Sequence, residues 1–147
     1  MCSEFSRPVH AYNPLLLQAT LARRDHEYVL ELHYRGELPG TGNFIIGVEV
    51  PQGAGGGMRH CCLEFQTGKP LRIFTYDFRG NWQSDHDLDA VKVRSNVVSG
   101  TFPAWSFDLR TPVRAMTAFA IHNGVVTASG LAVTGPLPGR AVQAIST

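Results

Sequence analysis

The stretch that most constrains this chain is Glu27–Arg35, EYVLELHYR. Tyr28, Leu30, Leu32 and Tyr34 fall on one side of an alternation. Glu27, Glu31, His33 and Arg35 fall on the other, with Val29 among them. Successive side chains of a strand point to opposite faces, so a period of two predicts a half-buried antiparallel strand.

The same reading extends along the chain. Leu17–Ala22 reads as a first strand, joined to Glu27–Arg35 by the polar turn Arg23–His26. Gly36–Asn43 is a long turn rich in Gly and Pro, and Phe44–Val50 follows with Phe44, Ile46, Val48 and Val50 on one face. Pro51–Gly57 is a glycine-rich loop. Met58–Phe65 and Leu71–Phe78 form a hairpin around Thr67-Gly68-Lys69. Arg79–Asp87 reads as a polar loop. Leu88–Pro103 divides into two short strands near Ser95-Asn96, and Ala104–Pro112 has no clean period.

The strongest local signal is Asn123-Gly124 between two alternating runs, the pair preferred in a type I′ hairpin turn. No segment sustains a 3.6-residue period. The one helical alternative is Asn13–Arg24, where Asn13 would cap and Pro14 would take the first position.

About eight or nine short strands separated by turn residues predict an all-β fold, an antiparallel β-sandwich, with a closed β-barrel as the alternative. The 147 residues suit one domain. Strand signals place it at 15–134, between an N-terminal extension, 1–14, and a C-terminal tail, 135–147.

Charge narrows the partners. A net charge of +1, from 13 basic and 12 acidic residues, offers no basic footprint for nucleic acid and no polybasic membrane signal. No stretch approaches the roughly 20 apolar residues of a membrane helix. The start of the chain lacks a secretory pattern. Three cysteines, two of them adjacent, make a poor disulfide framework and point to a reducing, cytoplasmic setting.

Candidate sites are few. In Met58–Phe65, strand geometry puts Cys61 and Cys62 on opposite faces, so they cannot share a metal. Arg59, Cys61, Leu63 and Phe65 form the more apolar face; His60 and Cys62 form the other. Cys61 is therefore expected to be buried and Cys62 more accessible. Asp85, Asp87 and Asp89 alternate in a polar stretch and form the best metal candidate, for Ca²⁺. The resemblance to a calcium loop stops there, with Ala90 and Asn96 where Gly and Glu should stand. No other cofactor is expected. The histidines, His10, His26, His33, His60, His86 and His122, lack metal-ligand spacing, and no nucleophile motif is present.

Aromatics give the binding candidates. Trp82 and Trp105 fall in or near loops, and Tyr76 shares a strand face with Arg72, Phe74 and Phe78. Such residues anchor partner proteins or stack on sugars. Phe74 and Phe78 are expected in the core. The chain thus reads as a non-catalytic binding or protein-interaction module, self-associating or with a protein partner. Two alternatives are a small-ligand barrel, its cavity flanked by Tyr28, Tyr34, Phe74 and Tyr76, and a metal-assisted enzyme using Asp85–Asp89.

Overall fold

The computed structural model describes residues 15–53, 56–107 and 111–135. The expected extension at 1–14 and the tail after Gly135 lie outside the described residues. Strands β1 (Leu15–Arg24), β2 (Glu27–Arg35), β3 (Asn43–Pro51), β4 (Met58–Gln66) and β5 (Lys69–Asp77) come first. They are followed by β6 (Trp82–Asp85), β7 (Lys92–Arg94), β8 (Val97–Pro103), β9 (Thr117–His122) and β10 (Val125–Thr134). The helical alternative at Asn13–Arg24 gives way to β1, whose long hairpin with β2 fixes it as a strand.

All ten strands belong to one open sheet, in the order β6-β5-β4-β3-β9-β10-β1-β2-β8-β7. Its pairings are antiparallel except β1 with β10. That parallel pair is only Ala19 with Val133 and Thr20 with Thr134. β10 crosses over there: its earlier residues pair with β9 through two register shifts. The sheet folds about this joint, and its two halves pack face to face. Leu30, Leu32, Val98 and Phe102 from one half meet Phe44, Ile46, Leu63, Phe65 and Ile73 from the other in a single core.

Gly100 of β8 marks a close approach of the two halves. A Cβ there would stand 2.9 Å from both Ile73 Cδ1 and Leu63 Cδ2. The architecture is therefore a sandwich made from one folded sheet. The barrel alternative is corrected, because the end strands β6 and β7 do not pair. A 3-10 turn at Leu88–Ala90 links them instead, capped by the Asp87 side chain on the Asp89 N–H at 3.0 Å.

β6 is the strand that sequence reasoning assigned to the Arg79–Asp87 loop. Its WQSD sequence carries no apolar alternation, and register with β5 alone holds it. Both end strands are short, and β7 carries Lys92 and Arg94, features that oppose edge-to-edge pairing. Among the described residues no helix is long and apolar enough to cross a membrane.

Candidate functional site

Apolar residues on both faces of one half of the sheet create the site. On β3, Phe44, Ile46, Val48 and Val50 fill the core, while Ile45 and Gly47 face outward. β4 turns Cys61, Leu63 and Phe65 inward and His60 and Cys62 outward. β5 adds Phe74 and Tyr76, and β9 adds Phe119 and Ile121. Register sets Gly47 beside Cys62 on one side and Phe119 on the other.

The result is an open hollow of about 280 Å³ lined by Ile45, His60, Cys62, Phe74, Tyr76, Phe78, Phe119 and Ile121. Gly47 is buried between Cys62 and Phe119. A Cβ there would lie 2.4 Å from the Cys61 carbonyl oxygen, so the backbone approach itself demands glycine. Cys62, Phe74 and Phe119 are buried at the base, while Phe78 is 51% exposed at the rim. Phe74 is buried, as expected, in a second small apolar cluster on the outward face, whereas the expectation that Phe78 lies in the core is corrected, because it stands at the exposed rim of that cluster.

Polar groups around the rim are already engaged. The His60 ring lies between Phe78 and Phe119, at 4.6 and 4.7 Å between centroids, and its Nε2 is 3.2 Å from Glu49. Arg72 Nε lies 2.9 Å from Glu64, an ion pair without hydrogen-bond alignment. The Tyr76 hydroxyl donates to Asn81.

The two cysteines occupy different environments, as strand geometry required, but both are buried. Cys61 is fully enclosed in the main core and Cys62 is 2% exposed beneath the aromatics. Burial pushes the Cys61 thiol up to about 12, against smaller opposing effects from Thr75 and Arg59. Burial, then the neighbouring Cys61 and Glu64, push the Cys62 thiol well above its ordinary value. The expected accessibility of Cys62 is thus corrected: the hollow's own side chains cover it.

The sequence-predicted aromatics divide between two faces. Tyr76 lines the hollow, whereas Trp82 and Trp105 stand together elsewhere, with centroids 5.7 Å apart. The Arg59 guanidinium lies 5.5 Å from the Trp82 ring, donates to Asp77 at 2.9 Å and reaches the Trp105 carbonyl at 2.6 Å. The Gly80 N–H and Arg59 hold the Asp77 carboxyl below its ordinary value. The barrel's proposed lining divides too. Tyr34 belongs to the core and Tyr28 packs against it, far in the register from the outward Phe74 and Tyr76.

Behind the tryptophans runs a polar chain that starts at the partly buried His86 and ends at the buried Thr75 and Ser106. His86 Nε2 is 2.7 Å from Thr75 Oγ1, which is 2.8 Å from Ser106 Oγ. The Cys61 thiol donates to the Ser106 carbonyl at 3.7 Å. Burial lowers the His86 pKa, and Asp85 partly opposes this.

The three aspartates do not converge. Asp85 accepts from Gln83 at 2.8 Å on the outward side of β6, and Asp87 caps the following turn. Among the described residues no group of three His, Cys, Asp or Glu side chains is placed to hold a metal.

Sequence reasoning missed Ile45, Gly47, Phe119 and Ile121 as site residues. The available signal was Ile45 opposite the core set of β3, and Phe119 and Ile121 opposite the small Ala118 and Ala120 in β9. No protein-family model, no curated protein and no solved structure matches the chain.

Proposed function

We propose that this protein is a non-catalytic interaction module that seats an apolar side chain of a partner polypeptide in the outer-face hollow. The observation that carries the reading is the hollow itself: eight apolar or aromatic-contacting residues on a face that a sandwich normally gives to polar residues. Its volume of about 280 Å³ lies at or just below the range usual for small-molecule sites, and fits one or two large side chains. Interface anchors are of this kind, an aromatic or aliphatic group filling a pocket inside a polar rim. The rim groups Glu49 with His60 and Glu64 with Arg72 are paired with one another, so their charges are largely balanced at the edge of the hollow.

N-acetyl-tryptophanamide and N-acetyl-leucinamide, titrated against the labelled protein, test this by amide NMR. Saturable shifts are expected at Ile45, Gly47, Cys62 and Phe119. Ile45→Glu at the rim should abolish them and Trp82→Ala should not. Shifts centred on Trp82 and Trp105, or none that saturate, would overturn the reading.

A further inference from the structure

The opposite half of the sandwich carries a different surface. Its outward face forms a groove of about 580 Å³ whose polar lining is Arg24, Glu31, Lys92, Arg94, Ser99 and Thr101. Register explains the arrangement. Glu31 pairs with Ser99 and Val29 with Thr101, so the β8 hydroxyls form the floor beside β2. Lys92 pairs with Ser99 and Arg94 with Val97, which sets both cations along the β7 side of that floor. Arg24 closes one end from the end of β1.

The charges of this groove are unbalanced. Arg24, Lys92 and Arg94 stand against one carboxylate, Glu31, which lies 3.4 Å from His33 Nε2. Among the described residues, no ion pair or side-chain hydrogen bond engages Arg24, Lys92 or Arg94. An adjoining hollow of about 460 Å³ shares Arg24, Ala90 and Thr101 but is acidic, with Glu27, Asp87 and Asp89 beside His26 and His86. The basic lining is therefore bounded, and a long polyanion laid across the face would meet carboxylates.

We propose that the groove between β7 and β2 binds a single compact anionic group, a phosphate, sulfate or carboxylate borne by a ligand. Lys92 and Arg94 supply charge-assisted hydrogen bonds from one wall, Arg24 from the end, and the Ser99 and Thr101 hydroxyls donate from the floor. The β7 pairing is short, so its cations gain their position from the β8 ladder rather than from a loop. This site is independent of the apolar hollow, which lies on the other half of the sheet.

Inorganic phosphate, sulfate and acetate, each titrated by amide NMR at constant ionic strength with sodium chloride, decide the matter. Saturable shifts at Ser99, Thr101 and Lys92–Arg94 are expected for at least one of the three, and the preferred ion separates phosphate or sulfate from carboxylate recognition. Lys92→Ala with Arg94→Ala should weaken that binding at least tenfold, whereas Lys92→Arg with Arg94→Lys should keep it. Both pairs alter exposed side chains, so the remaining amide spectrum reports an intact fold. The proposal is overturned if no ion saturates, if chloride competes equally, or if the alanine pair binds as the parent does.

Discussion

Gly100→Ala tests the folded sheet directly, because the two ways of placing β8 predict opposite signs. If β8 exposed this position, alanine would add about 0.4–1 kcal/mol by restricting the unfolded chain. In the folded sheet the new methyl would sit 2.9 Å from both Ile73 Cδ1 and Leu63 Cδ2, and 3.3 Å from Leu63 Cγ. Carbon atoms prefer separations of about 3.5–4.0 Å, so both side chains must yield by more than half an ångström. Both contacts are side-chain ends, but Ile73 and Leu63 are fully buried, so they can yield only by displacing other core side chains. Overpacking of this kind costs about 1–3 kcal/mol. Set against the entropic gain, a net loss of about 1–2 kcal/mol is expected. With a urea slope of about 1–3 kcal/mol per molar, the midpoint should fall by roughly half a molar or more. Ile73→Val removes the Cδ1 atom involved, so the double variant should be more stable than the sum of the single losses predicts. A Gly100→Ala variant as stable as the parent, or more so, would refute the packing of the two halves.

Three further outcomes follow from the buried polar groups. In a Cys2→Ser background, neither Cys61 nor Cys62 should react with a thiol reagent in the native state at neutral pH, and both should react in urea; one fast native thiol would contradict their burial. Burial keeps the His86 pKa below its ordinary 6.5, so the unfolded chain binds this proton first, and stability should fall as pH drops from about 6.5 towards the folded value. Denaturation midpoints measured across that range should flatten in a His86→Gln variant. Asp77 behaves as a depressed carboxylate: its contribution is present above the unfolded value near 3.8 and lost as pH falls through the folded value. Asp77→Asn should remove this acid-dependent component, and an unchanged pH profile would show that Gly80 and Arg59 do not hold the charge.

Much of the strand layout was legible locally. Glu27–Arg35 is a strand over the expected residues, and Asn123-Gly124 is its expected turn, with positive φ at both positions. Cys61 and Cys62 point to opposite faces, as alternation requires. β6 was not legible, because a four-residue polar strand owes its existence to its neighbour's backbone rather than to its own side chains. The hollow was half legible. Phe74, Tyr76 and Phe78 stood out as one face, but their meeting with Ile45, Phe119 and Ile121 depends on the order β5-β4-β3-β9. That order brings residues far apart in sequence side by side.

The sequence by itself determined an all-β chain: where most strands lie, where they turn and which residues share a face. Tertiary structure decided what the outward faces assemble into. Alternation already marked the core faces of β2, β3 and β4, but it could not show that outward residues such as Ile45, Phe74 and Phe119 converge. The strand order and the fold at the β10–β1 joint made that assembly. They buried Cys61 between the halves, left Cys62 under an aromatic hollow on one outer face, and set Lys92 and Arg94 along a groove on the other.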